Sequence, residues 1–252
     1  MQLSLFQPDL PREKISTPPP VSLTSRRRIA RDEGSGLKKD NRILMRDILV
    51  PYLPEKSIEF IIDWLIEKKV RLRISNNRTT KLGDYRPPKP GLPAKISVNH
   101  NLNKYSFLIT LVHEMAHHMV LGGIDENPFF LPFRRKKKPK PHGTEWQSSY
   151  CKLMAPLLNT EILPPDIIVS MKQYLENPKA STTADMHLFR ILKKYDKPDG
   201  SVFIENLPFN AVFHLRNGLA FHKKEKIRKR YRCICINNGR MYLFNPMAQV
   251  LL

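Results

Sequence analysis

The stretch from Lys104 to Leu121, KYSFLITLVHEMAHHMVL, limits the fold more than any other part of the chain. Phe107, Leu108, Leu111, Val112, Met115, Ala116 and Met119 place apolar groups on nearly every side of a helix that Gly122 and Gly123 would end. Such a helix must be enclosed by the rest of the chain. One stripe is the exception: Ser106, Thr110, His113, Glu114 and His117 fall on a common side. A buried polar group left unpaired costs about 1–3 kcal/mol, so the stripe needs a partner. His113 and His117 are four residues apart and can aim ring nitrogens at one ion, and Glu114 lies where it can reach a water on that ion. His118 is turned about 100° from His117, off the stripe, and is expected to support the site from outside or to lie at the surface.

Two histidines do not complete a metal site. Position 123 is Gly123, which excludes the arrangement with a histidine six residues after the second ligand. Asp125 and Glu126 lie just past the glycine break, where the chain turns away. His142 and Glu145, in PHGTEWQ, are three apart at the opening of the following helix, and spacing alone does not choose between them.

A chain of 252 residues has room for one large domain with a small appendage. Three scattered cysteines make no disulfide framework, no secretory leader is evident, and no apolar run nears the roughly 20 residues that span a bilayer. A soluble, cytoplasmic protein without a membrane partner is the expectation. Residues 1 to 40, rich in proline, serine and charge, are expected to be a disordered tail. From residue 41 to 178 the pattern predicts helices at RILMRDILV, at PEKSIEFIIDWLIEKK, in the stretch already described, at GTEWQSSYCKLMAPLL and at PPDIIVSMKQYLE. Strands are expected at VRLRIS, TTKLGDYR and AKISVN. From 185 to 252, short strand-like runs flank Asn217-Gly218 and Asn238-Gly239, a dipeptide favoured in two-residue hairpin turns, and predict a small antiparallel β module.

The formal charge is +20, with 43 lysines and arginines against 23 acids. That excess favours polyanions, nucleic acid first among them. Two blocks are the candidate contacts: Arg134, Arg135, Lys136, Lys137, Lys138 and Lys140 before His142, and Lys226, Arg228, Lys229, Arg230 and Tyr231, where the tyrosine offers a ring for stacking.

TLVHEMAHH followed by HGTEWQSSYCKLM resembles the SprT-like metalloprotease family, which carries His-Glu-x-x-His on one helix and His-Gly-x-x-aromatic opening the next. The likeness runs back through KLGDYR and ISVNHNL and covers about Ile58 to Met154. It implies an α+β chain: a mainly helical, zincin-like metalloprotease domain with a small sheet, then a β module similar to a degenerate zinc ribbon. It also implies one catalytic zinc ion on His113, His117 and His142, with Glu114 as general base and Glu145 holding a histidine ring. The substrates implied are proteins bound or crosslinked to DNA, with DNA, single-stranded in preference, as recruiter or activator. Two features depart from the family. The interval from His117 to His142 is 25 residues long, and only Cys233 and Cys235 stand where relatives carry two Cys-x-x-Cys knuckles. The tail pentapeptide QLSLF resembles the motif with which bacterial proteins bind the DNA-polymerase sliding clamp, which implies clamp contacts through Gln2, Leu3, Leu5 and Phe6. The rival expectations are a nucleic-acid-binding protein with a structural zinc and a general cytosolic metallopeptidase.

Overall fold

A computed structural model describes residues 36–78, 80–121, 139–179 and 185–252, with side chains from residue 41 onward. The clamp-like residues Gln2, Leu3, Leu5 and Phe6, the residues Asp125 and Glu126, and the basic run from Arg134 to Lys138 lie outside these segments. The chain is α+β and divides into two compact units at Asp196/Lys197.

The first unit contains α1 (Gly36–Leu49), α2 (Ile58–Glu67), β1 (Arg71–Ser75), β2 (Gly83–Arg86), β3 (Lys95–Asn99), α3 (Lys104–Leu121), α4 (Thr144–Met154), α5 (Pro165–Leu175) and α6 (Met186–Lys193). Its sheet has the order β1-β3-β2, with β1 parallel and β2 antiparallel to the central β3. Alternation decides which face is covered: Leu72, Ile74, Ile96 and Val98 are buried on one side, while Arg71 and Arg73 point to solvent on the other. α3 packs against β2 and β3 on one flank and α4 on another, which buries Phe107 to Ala116. Ile58, Ile61, Ile62 and Leu65 of α2, and Ile167 and Met171 of α5, close the same core. The start of α3 is fixed by Asn103, whose Oδ1 accepts from the backbone N–H groups of Tyr105 and Ser106.

The boundary differs from the sequence expectation. Residues 185–196 belong to the first unit, where Asp185 caps a helix by accepting from the N–H groups of His187 and Leu188. The helix then buries Leu188, Ile191 and Leu192 in the first core. The second unit, Lys197–Leu252, holds β4 (Val202–Phe203), β5 (Val212–His214), β6 (Ala220–Ile227), β7 (Arg230–Cys235), β8 (Met241–Phe244) and β9 (Gln249–Val250). β5-β6-β7-β8 form an antiparallel sheet, β4 pairs with β9, and Phe213, Phe221, Phe244, Cys233 and Cys235 fill the core. The Asn-Gly turns are not the two-residue kind. Only Gly218 (φ 81°) and Gly239 (φ 67°) take positive φ there, and Asn217 and Asn238 do not. The two-residue turn is Arg228-Lys229, with Arg228 at φ 52°.

Candidate metal centre

α3 and the loop before α4 bring three imidazoles together. The Nε2 atom of His142 lies 3.1 Å from that of His113 and 3.0 Å from that of His117. Zinc–nitrogen bonds of about 2.0–2.1 Å at tetrahedral angles separate ligand nitrogens by about 3.3 Å, so the triad is close to the size a zinc ion needs. Among the described residues this is the one group of three or more metal-ligating side chains that converges. Spacing had left His142 and Glu145 both open as the third donor; the geometry brings in His142.

The donor chemistry fits a cation. Burial, with His117 and His142 adding, pushes His113 down to about 3, and burial together with His142 takes His117 to about 4. Burial also lowers His142. All three are therefore neutral at pH 7 and present lone pairs, the form that binds metal. His142 holds its position at φ 59°, a left-handed conformation that costs a non-glycine residue on the order of 1 kcal/mol and is met at sites the surroundings over-determine.

Trp146 is the wall of the cluster. Its ring packs 4.6 Å from His113, 5.6 Å from His117 and 4.7 Å from His142, and Tyr150 stacks behind it at 5.0 Å. The indole Nε1 donates to the backbone carbonyl of His113 at 3.4 Å. The side chain thus ties the opening of α4 to the turn of α3 that carries His113.

Glu114 is 7 % exposed, and burial, with Asp84 adding, raises its carboxyl to about 7. The Tyr85 N–H donates to the carboxylate and draws the value partly back. Gly83 makes room for this group: a Cβ there would stand 2.5 Å from Glu114 Oε1 and 2.8 Å from its Cγ. The conformation at Gly83 does not require glycine, but the space does.

The supporting residues divide. His118 lies off the stripe, with Nδ1 3.2 Å from the Tyr85 hydroxyl and its ring edge-on to Trp64 and Tyr85, so it joins α3 to β2 and α2. Glu145 does not hold a histidine: its carboxylate is exposed and accepts from the Thr144 hydroxyl. On the first turn of α4 it points outward, while Trp146 takes the inward position.

The candidate nucleic-acid residues of the second unit sit at one hairpin. Lys226, Arg228, Lys229 and Arg230 are exposed at the β6–β7 end. Tyr231 is half-buried, and the Lys223 ammonium lies 4.2 Å from its ring centroid, so one face is already taken. Lys140, the described end of the other basic run, is exposed. Cys233 and Cys235 face inward into the core. Among the described residues no helix is long and apolar enough to cross a membrane. No family model matches the chain, and no curated protein or solved structure matches it at a significant level.

Proposed function

We propose that the chain is a zinc-dependent endopeptidase of SprT-like, zincin-like character, acting in the cytoplasm on proteins bound or crosslinked to DNA. The observation that carries the peptidase reading is the convergence of three neutral imidazole nitrogens beside a buried glutamate. Structural zinc sites close with four protein ligands, whereas three leave a position for water or substrate. A structural site also has no use for a carboxylate held near neutrality.

His113, His117 and His142 would hold a zinc ion, which when bound would supply Lewis acidity and lower the pKa of water toward neutrality. Glu114, with a carboxyl near 7, is matched to accept a proton from the attacking water and to pass it to the departing amine. The Tyr85 N–H and the space over Gly83 keep that carboxylate in one place. Trp146 fixes the ring planes of the ligands and excludes water from the cluster's rear.

The DNA part rests on the +20 charge, on the exposed cations of the β6–β7 hairpin and on the family resemblance. Recruitment to the sliding clamp through QLSLF belongs to the same proposal. The test is cleavage of a DNA-binding protein by the purified chain, with and without single-stranded DNA, beside Glu114→Gln. The expected outcome is DNA-stimulated cleavage that falls about 10²–10⁴-fold in the variant while zinc content stays at one equivalent. Cleavage indifferent to DNA and salt would support a general peptidase. Zinc bound with no cleavage under any condition would overturn the enzyme.

A further inference from the structure

The solvent-facing side of the first unit's sheet carries an arrangement of charge that packing does not explain. Register places Arg71 of β1 opposite Lys95 of β3, and Lys95 opposite Arg86 of β2, so three cations form one row across all three strands. The next row on the same face is Arg73, Ser97 and Asp84. Arg78 lies over it, donating from Nε to Asn99 Oδ1 at 2.8 Å and from Nη1 to Ser97 Oγ at 3.1 Å. Among the described residues, Arg71, Arg73 and Lys95 make no close ion pair; Arg78 lies within electrostatic reach of Glu114, and Asp84, which also acts on Lys95, is paired with Lys81 and Arg86.

Like charges directly opposite on a sheet oppose its formation. Burial first, then Arg73, Arg86 and Arg71, lowers the Lys95 pKa, with Asp84 acting against them. Charged residues are common on edge strands, where they prevent sheet-to-sheet aggregation. Lys95 stands on the central strand, and that reason does not reach it. Every apolar side chain of β1 and β3 points the other way, so the face offers a partner arginine forks, an ammonium and small polar groups, with one carboxylate, Asp84, already paired to Lys81 and Arg86. That chemistry suits phosphate and gives nothing to an apolar protein surface or an acyl chain.

We propose that the exposed end of this face, with Arg71, Arg73, Lys95 and Arg86 as its contacts, binds the phosphate backbone of a nucleic acid. The face and the metal centre share a strand: Asp84 and Arg86 of β2 look outward, while Gly83 and Tyr85, alternate with them, meet Glu114. A nucleic acid lying here runs along the strand that borders the general base, and a protein attached to it is held at the cleft. The assignment rests on the reading of DNA as the partner and adds a surface that the two basic blocks of the sequence do not include.

The experiment is fluorescence anisotropy of the full chain with a single-stranded oligonucleotide, and with the corresponding duplex, across a salt series. Arg71→Gln/Arg73→Gln/Lys95→Gln is compared with a control of equal charge loss at exposed positions elsewhere in the unit, Lys56→Gln/Lys152→Gln/Lys172→Gln. The expected result is at least a tenfold loss of affinity in the first variant, with the single-strand salt slope reduced by about 2, against a loss of less than threefold in the control. Arg71→Glu/Arg73→Glu guards against misfolding: it relieves the row's repulsion, so its melting temperature holds or rises while DNA binding falls. Equal losses in both triple variants would overturn the proposal. So would DNA binding untouched by the face variants while binding to phosphatidylserine vesicles or polyglutamate falls. Binding is read without turnover, so a chain that binds DNA through this face and never cleaves sinks the peptidase alone. DNA-stimulated cleavage that survives the face variants sinks the face alone.

Discussion

The two units each set a pair of side chains of metal-ligating type side by side by local periodicity alone, and among the described residues only one pair is joined by a third. On α3 the period of the helix aligns His113 with His117; on β7 the period of the strand aligns Cys233 with Cys235. The histidines are met by His142 from another element. The cysteines meet Phe213, Phe221 and Phe244. The environments push protonation in opposite senses relative to metal binding. His113 and His117 are held neutral, the ligating form, whereas burial raises the Cys233 thiol to about 11 and keeps it protonated, the non-ligating form. A local pair is therefore only half a site. The other half is a distant residue and a set of neighbours that favour the ligating protonation state.

Removing one member from each group breaks this comparison most sharply. His142→Asn keeps a residue tolerant of positive φ but withdraws the third nitrogen. Zinc retained after dialysis should fall from one equivalent to below about 0.1, and cleavage should be lost with it. Cys233→Ser and Cys235→Ser should leave zinc content and cleavage unchanged, although each puts a hydroxyl into an apolar core and lowers stability by about 1–3 kcal/mol. Metal analysis of the three variants decides the matter, and loss of zinc from either serine variant would move the metal to the β module.

Much of this was legible before any coordinates. The buried helix, its polar stripe and its two histidines follow from periodicity, and β1 follows from the alternation in VRLRIS, with TTKLGDYR and AKISVN as the further strand candidates. Other features left weaker signals or none. The α6 helix had a visible cap in Asp185 and apolar residues at the spacing of Leu188, Ile191 and Leu192, but it sits beside strand-like runs whose character masks it. SVFIENL has the composition of a strand yet turns at Ile204–Asn206 after only two paired residues. Arg228-Lys229 makes the tight hairpin turn without glycine or asparagine, so turn chemistry pointed to the wrong places. Trp146 stands in the quoted motif as its aromatic, but its packing on all three histidines is a tertiary fact. The row Arg71–Lys95–Arg86 depends on register between strands far apart in sequence, and no local pattern announces it.

Gly83 left the least trace, because what it contributes is an absence. Gly83→Ala sharpens the contrast between holding a metal and using it. The added methyl meets the Glu114 carboxylate rather than any of the three histidines, so the proposed general base must move by about 1 Å while the triad stays. A misplacement of that size costs about 10²-fold in rate. The expected outcome is kcat lowered by that order with zinc stoichiometry unchanged. Gly83→Ala with Glu114→Asp, whose shorter side chain withdraws from the methyl, should not lose a further full factor beyond Glu114→Asp alone. Equal, independent losses in the double variant would show that Gly83 acts elsewhere.

The gentlest test separates the two units by pH in zinc-free protein. His113 and His117 refuse protons in the fold until about pH 3 and 4, whereas unfolded histidines take them near 6.5. Between those values the unfolded state binds more protons, so the first unit loses stability as pH falls from about 7 toward 4. Glu114 opposes this, since its raised carboxyl takes up a proton in the fold first; Glu114→Gln should therefore steepen the acid decline. Cys233 has the reverse sign. Its folded thiol keeps the proton to about 11, the unfolded one releases it near 9, and the β module loses stability as pH rises through that interval. Both tryptophans, Trp64 and Trp146, lie in the first unit, so their fluorescence follows that unit alone, while hydrogen exchange resolved along the chain reads both. Burial raises Cys151, Tyr150 and Tyr174 as well, so the first unit also weakens at alkaline pH. Acid weakening between about pH 7 and 4 confined to residues up to 196, together with alkaline weakening beyond them that Cys233→Ser reduces, would show that the two pairs differ in protonation as well as in geometry. The same pH profile in both units would mean that burial acts on the whole chain and that the contrast between the pairs is geometric alone.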